Sequence, residues 1–210
     1  GSIGENTLQV LRKHPDRFQL VGISAHSNAE KLAQIATEFN VPHAYLPNAA
    51  GKAENFPSTT KLDRSADGLL SLASLDAADL VVIAVVGASG LSPTLAALQS
   101  GKNIVLANKE SLVLGGDLVM QTAKENQAKV LPADSEHNAI FQCIQGENQR
   151  DIDSIILTAS GGPFRELPIE ELQNVTISQA LDHPNWSMGN KVTIDSATMA
   201  NKGLELIEAR

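Results

Sequence analysis

Short β-branched runs alternate with amphipathic segments through most of this chain, and that rhythm constrains its fold more than any other feature. Phe18–Ile23, Leu80–Val86, Asn103–Leu106, Lys129–Leu131 and Ser154–Thr158 read as strands. Between them, Glu5–Lys13, Ala29–Phe39, Ser65–Ser74, Pro93–Ser100 and Asp117–Glu125 place apolar residues three and four apart, the spacing of a helix with one buried face. This βαβ rhythm predicts the α/β class, a parallel doubly wound sheet with helices on its faces. Aromatic residues make up only 3% of the chain, so its core has to be built from Leu, Val, Ile and Ala, which suits strands buried on both sides.

Two regions depart from the rhythm. Pro47–Asp63 is rich in Pro, Asn, Lys and Gly without periodicity and is expected to be a surface loop. After Asp134 the pattern changes to a strand, the turn Ser160-Gly161-Gly162-Pro163, an extended polar stretch and a final helix from about Ser196 to Arg210. A domain boundary is therefore placed there, giving units 1–133 and 134–210.

The formal charge of -8, with no basic patch in the sequence, argues against a nucleic-acid binder, but not against a small phosphorylated ligand, which one or two cations and backbone N–H groups can hold. The single cysteine, Cys143, cannot form an internal disulfide, and the sequence has neither a signal peptide nor a transmembrane-length apolar run, so the expected compartment is the cytoplasm with no membrane partner. Cys143 is expected to be a structural thiol in a buried helix, His137–Ile144.

Gly1-Ser2-Ile3-Gly4 ahead of a helix is similar to the end of a dinucleotide-binding turn, where backbone amides meet a pyrophosphate; Gly-Ser is also what a cloning remnant leaves. The strand Phe18–Ile23 ends in Ser24-Ala25-His26-Ser27-Asn28, where a Rossmann fold reads the adenosine ribose. No acidic residue stands there to bind a 2′-hydroxyl before Glu30, and His26, Ser27 and Asn28 suit a 2′-phosphate, which points to NADPH. Asp134-Ser135-Glu136-His137-Asn138 follows the strand Lys129–Leu131, so its two carboxylates are expected at a strand's carboxyl end, where hard oxygen donors suit Mg²⁺ or Mn²⁺. Glu205, in Asn201-Lys202-Gly203-Leu204-Glu205, is a candidate third ligand.

Five long motifs in order, Leu106-Ala107-Asn108-Lys109-Glu110-Ser111, Asp134 to Phe141, Ser160 to Arg165, His183-Pro184-Asn185-Trp186-Ser187-Met188-Gly189 and Asp195 to Met199 with Asn201 to Glu205, resemble the 1-deoxy-D-xylulose 5-phosphate reductoisomerase family. The resemblance covers nearly the whole chain and is least specific in Ala44–Asp76. It implies a Rossmann-like dinucleotide-binding domain followed by an α/β catalytic domain. Members of the family begin with a strand feeding a Gly-Ser-Thr-Gly-Ser-Ile-Gly loop, of which Gly1 to Gly4 remain here, and continue beyond Glu-Ala-Arg into a C-terminal helical domain. The intact family protein is expected to be a homodimer.

The resemblance further implies an NADPH- and divalent-metal-dependent conversion of 1-deoxy-D-xylulose 5-phosphate to 2-C-methyl-D-erythritol 4-phosphate in isoprenoid precursor synthesis. Mg²⁺ or Mn²⁺ is the implied metal, with Co²⁺ a further possibility. Asp134, Glu136 and Glu205 would hold it, Glu136 or Glu205 would move a proton, and Lys109 would lie beside the reacting oxygens. Ser160, Ser196, Asn201 and Lys202 would form the phosphate pocket supported by His183, Ser135 would also contact substrate, and Trp186 would sit on a closing loop with Met188 toward the nicotinamide. Gly1, Ser2, Ile3, Gly4, Ala25, His26, Ser27, Asn28, Asn108 and Glu110 complete the implied cofactor contacts. His137 stays open between capping the following helix and a direct catalytic role. The competing readings are another NADPH-dependent reductase on the same scaffold, or a fragment that binds ligand without turnover.

Overall fold

A computed structural model describes residues 1–47, 55–186 and 188–209. The expected α/β class is what forms. Among the described residues, six short strands make two parallel three-stranded sheets: β1 (Gly22–Ser24), β2 (His43–Tyr45) and β3 (Lys61–Asp63) in one, β4 (Leu80–Ile83), β5 (Asn103–Leu106) and β6 (Val130–Pro132) in the other. Each sheet keeps sequence order across its width.

Helices α1 (Ser2–Lys13), α2 (Ala29–Glu38), α3 (Gly68–Ala73), α4 (Leu91–Gln99) and α5 (Lys109–Glu125) supply the crossovers and the covering layers. In the first sheet Leu32 of α2 closes on Ala44 and Leu46. In the second, Ile104 and Leu106 of β5 are sealed by Leu98 of α4 and Val119 of α5. A fully buried leucine of this kind contributes about 1.5–3 kcal/mol relative to exposure, so this second core is the rigid base on which the loops at the carboxyl ends of β5 and β6 stand.

Several expected boundaries move. The first strand starts at Gly22 rather than Phe18, which is 41% exposed. His43–Tyr45 and Lys61–Asp63 are strands that the periodicity missed, since three residues are too few to show alternation, and the second of them closes the expected loop Pro47–Asp63. Residues 48–54 of that loop lie outside the described residues. Helix α5 begins at Lys109 instead of Asp117 and runs across Gly115-Gly116, with a non-helical Gly115 marking a kink rather than an end.

Beyond β6, α6 (Ser135–Ile144), α7 (Ile177–Leu181), α8 (Asn190–Ala197) and α9 (Ala200–Glu208) follow with irregular chain between them. Ser154–Thr158 forms no strand: it finds no ladder partner among the described residues, and Ile155 and Ile156 are exposed. The expected helix 196–210 is divided, because Met199 adopts a left-handed φ of 60° between α8 and α9. Cys143 is exposed, and only His137 of α6 is buried, which corrects the expected buried thiol.

Candidate active site

Parallel pairing of β5 with β6 brings their carboxyl ends side by side. Asn108 follows β5 and caps α5, accepting from the Ser111 N–H at 2.9 Å, and Lys109 is thereby the first residue of that helix. Asp134 follows β6 and caps α6, which sets Glu136 in the first turn. Lys109 Nζ then lies 2.5 Å from Asp134 Oδ2. Helix α9 packs on α5 and presents Asn201 and Glu205, one turn apart, to the same lysine: Nζ donates to Asn201 Oδ1 at 2.7 Å and to Glu205 Oε1 at 3.0 Å.

Asp134, Glu136 and Glu205 each offer an oxygen within 4.8 Å of the others, so the three expected ligands do converge. The Glu205 side chain is 1% exposed, and three carboxylates this close repel one another strongly unless cations lie among them. Lys109 is one such cation. Lys202 is the other, donating to Glu136 Oε1 at 3.2 Å, to Glu205 Oε2 and to the Thr158 carbonyl. Burial acts to lower the Lys109 pKa, but Asp134 and Glu205 outweigh it and hold the ammonium above its ordinary value. Burial likewise raises the Glu136 carboxyl, yet hydrogen bonds from Ser135 and Lys202 bring it below the usual carboxylate range. Three converging carboxyl groups with two lysine side chains among them form an oxygen-donor set that fits a hard divalent cation.

The phosphate-pocket candidates divide into two groups. Ser160 Oγ lies 3.2 Å from His183 Nε2 and accepts from the Gly162 N–H at 3.2 Å. His183 Nδ1 accepts from the N–H groups of Asn185 and Trp186, so Nε2 carries the ring proton and donates to Ser160. Gly162, at φ +68°, passes so close to α8 that a Cβ there would sit 2.6 Å from the Ser196 carbonyl. Asn201 and Lys202, expected with these residues, point instead into the carboxylate cluster. Ser196 lies in the last turn of α8 and opens no helix, so the expected N-terminal dipole is not at its position. Trp186 is 65% exposed and is no core anchor; its neighbour Ser187 lies outside the described residues, and Met188 is partly buried.

At the other end, Ser2, Ile3 and Gly4 form the first turn of α1 rather than a loop, leaving their N–H groups without helical partners. Ala25 lies just past β1, followed by exposed His26, Ser27 and Asn28, of which Asn28 accepts from Lys31 N–H and caps α2. Asn108 has its side chain occupied within the protein, donating to the Val85 and Gly87 carbonyls at 2.7 and 2.9 Å, so it shapes the loop after β4. Glu110 pairs with Lys191 of α8 at 2.7 Å.

The sequence model of 1-deoxy-D-xylulose 5-phosphate reductoisomerase matches residues 1–116, more than half of the chain. The chain belongs to the 1-deoxy-D-xylulose 5-phosphate reductoisomerase family. The model of the C-terminal domain of that reductoisomerase matches residues 130–210. Reductoisomerases of Clostridium kluyveri and Geobacter metallireducens are 52% and 48% identical to it over its whole length, and the chain spans 56% of the length of each. Among solved structures, the Zymomonas mobilis reductoisomerase in complex with NADPH matches at TM-score 0.90 with 42% identity, covering all of this chain and 55% of that one. A reductoisomerase in complex with NADPH, fosmidomycin and magnesium matches at TM-score 0.87 with 46% identity, over 100% of this chain and 55% of the other.

Sequence reading of this reductoisomerase-family chain missed two participants in the site. Lys191 bridges Glu110 and Asp195, tying α8 to α5, and a lone lysine early in an amphipathic helix gives no local sign of that. Glu208 faces His137 with its side chain 3% exposed, and burial pushes its carboxyl up to about 7, with Asp134 and Glu205 adding to the rise against His137 and Lys109. Its position one turn after Glu205 was the available signal.

Proposed function

We propose that this chain forms the NADPH-binding and catalytic part of an enzyme that isomerises 1-deoxy-D-xylulose 5-phosphate and reduces the product to 2-C-methyl-D-erythritol 4-phosphate. The observation that carries it is the convergence of Asp134, Glu136 and Glu205 with Lys109 at the carboxyl ends of two adjacent parallel strands. In open α/β sheets that edge is where ligands bind. The ligands of the related structures, NADPH, magnesium and fosmidomycin, support the same cofactor, metal and small-ligand classes here.

Asp134, Glu136 and Glu205 hold Mg²⁺ or Mn²⁺, with Co²⁺ an alternative. A cation so held supplies Lewis-acid stabilisation of the negative charge that a ketol rearrangement develops on neighbouring oxygens, and NADPH supplies the hydride. Lys109 places positive charge between Asp134 and Glu205 and offers its ammonium to a substrate oxygen. Glu136 or Glu205 accepts and returns the hydroxyl proton as the carbon skeleton rearranges. Ser135, Ser160, His183, Ser196, Asn201 and Lys202 bind the substrate. Hydroxyls on one side and an ammonium on the other hold a phosphoryl group, fixing the reacting carbons by a group that does not react. Trp186 and Met188 lie on a loop that excludes water when it closes.

Gly1 to Gly4 at the α1 N-terminus receive pyrophosphate, and Ala25 to Asn28 receive the ribose 2′-phosphate. Asn108 and Glu110 shape the nicotinamide side. Residues 1–133 and 134–210 are assigned as cofactor and catalytic units, and the intact protein as a cytoplasmic homodimer; no described helix is long and apolar enough to cross a membrane.

The test is NADPH absorbance with the full-length protein, 1-deoxy-D-xylulose 5-phosphate and Mn²⁺ beside a metal-free control. Metal-dependent oxidation is the expected result. Oxidation that needs no divalent ion, or none with all components present, overturns the proposal.

A further inference from the structure

We propose that Glu208 is a positioning residue for the carboxylate cluster, acting through His137 on the main chain that carries Glu205; the inference rests on the metal-site reading above. Glu208 follows Glu205 by one turn of α9, and its Oε2 is buried without a hydrogen-bond partner. It faces His137 Nδ1 at 3.6 Å. The other ring nitrogen, Nε2, lies 2.9 Å from the Glu205 carbonyl oxygen. A carbonyl only accepts, so Nε2 carries the proton and Nδ1 is the edge turned to Glu208 and Asp134.

One imidazole therefore stands between two helices that bear the proposed ligands. Helix α6 carries Asp134 at its cap and Glu136 in its first turn, while α9 carries Glu205. A rotation of the ring gives up the bond to the Glu205 carbonyl and turns Nδ1 away from the Glu208 carboxyl, the polar group that it faces. Neither residue belongs to the three-carboxylate set itself, although the two form with Asp134 a second group of donor atoms within 4.8 Å of one another. An outer partner of this kind sets the spacing of ligands held on separate elements, and its loss weakens metal affinity by about 10–100-fold.

The experiment uses the full-length protein and Mn²⁺ alone, counting free ion by electron paramagnetic resonance, with Glu208→Leu, Glu208→Ala, Glu208→Gln and Glu136→Gln compared with the parent. Circular dichroism and NADPH affinity report folding, and NADPH affinity should not move. Glu208→Leu keeps the volume but removes the polar end, and it should weaken Mn²⁺ binding by about tenfold or more. Glu208→Gln keeps a group that can meet Nδ1 and should recover most of that loss. If Glu208→Leu does not fold, Glu208→Ala decides in its place. Parent-like Mn²⁺ affinity in the folded variant overturns the proposal. So does the loss of a second equivalent of Mn²⁺, which would make Asp134, His137 and Glu208 an ion site of their own. Unchanged affinity in Glu136→Gln sinks the metal-site reading itself; weakened Glu136→Gln beside an unaffected Glu208→Leu removes only the positioning role.

Discussion

Lys109 and Lys202 do for the carboxylate cluster what a divalent ion would do, placing positive charge among Asp134, Glu136 and Glu205. Removing one charged donor should therefore spare folding while damaging the site. Glu136→Gln is expected to fold as the parent does, yet to lose metal-dependent turnover by orders of magnitude, measured as NADPH oxidation across a Mn²⁺ titration. Parent-like turnover would sink the ligand assignment. Trp186, with its indole largely in solvent, tests the loop instead. For Trp186→Ala the expectation is a raised KM for the sugar phosphate with Mn²⁺ affinity intact, and an unaltered KM would count against closure over substrate.

Among the elements, the contact of the Ser160–Pro163 turn with α8 is the least tolerant of change. Gly161 and Gly162 both have positive φ, and at Gly162 a methyl group would meet the Ser196 backbone rather than a flexible side chain. Gly162→Ala combines a left-handed backbone with a main-chain clash, so a destabilisation of about 2–4 kcal/mol is expected in denaturant unfolding. Loss of sugar-phosphate binding should accompany it, because Ser160 is anchored to His183 by the same turn. A melting curve that matches the parent's would show that the turn can separate from α8. The break between α8 and α9 also has a cost: Met199 holds a left-handed conformation that β-carbon sterics disfavour, and it frees α9 to aim Asn201 and Glu205 at Lys109.

For the whole molecule, the cluster joins parts of the chain that are far apart in sequence, since Lys109 reaches α9 and Lys191 of α8 reaches Glu110 of α5. A cation bound by Asp134, Glu136 and Glu205 would fasten α6 to α9 and stabilise the folded state by mass action. At Mn²⁺ one hundred times its dissociation constant the gain is about 2.7 kcal/mol, read as a rise in melting temperature that chelator reverses and Glu136→Gln abolishes. No rise in the parent would mean that the ion does not bind the folded state in preference to the unfolded chain. The chain spans 56% of its curated relatives' length, and Ile156, Ile169 and Ile177 are exposed apolar side chains of its second half.

Local pattern in the sequence was enough for the α/β class, for β5 at Asn103–Leu106 and for the carboxylates Asp134, Glu136 and Glu205 as candidate ligands, while Lys109 came from the family resemblance. Side-chain periodicity and strand-bounding turns are written within a few residues, so they survive without knowledge of the fold. It did not reveal the three-residue strands β2 and β3, the lack of a ladder partner for Ser154–Thr158 among the described residues or the break at Met199, because pairing and backbone strain depend on what lies across space. The same holds for the site. Lys202 turns to the carboxylates rather than to Ser160, and Glu208 stands behind His137, only because parallel strands and α9 packing bring those side chains together; burial then makes each charge require a partner. The sequence supplied the chemical groups, and the tertiary structure decided which of them meet.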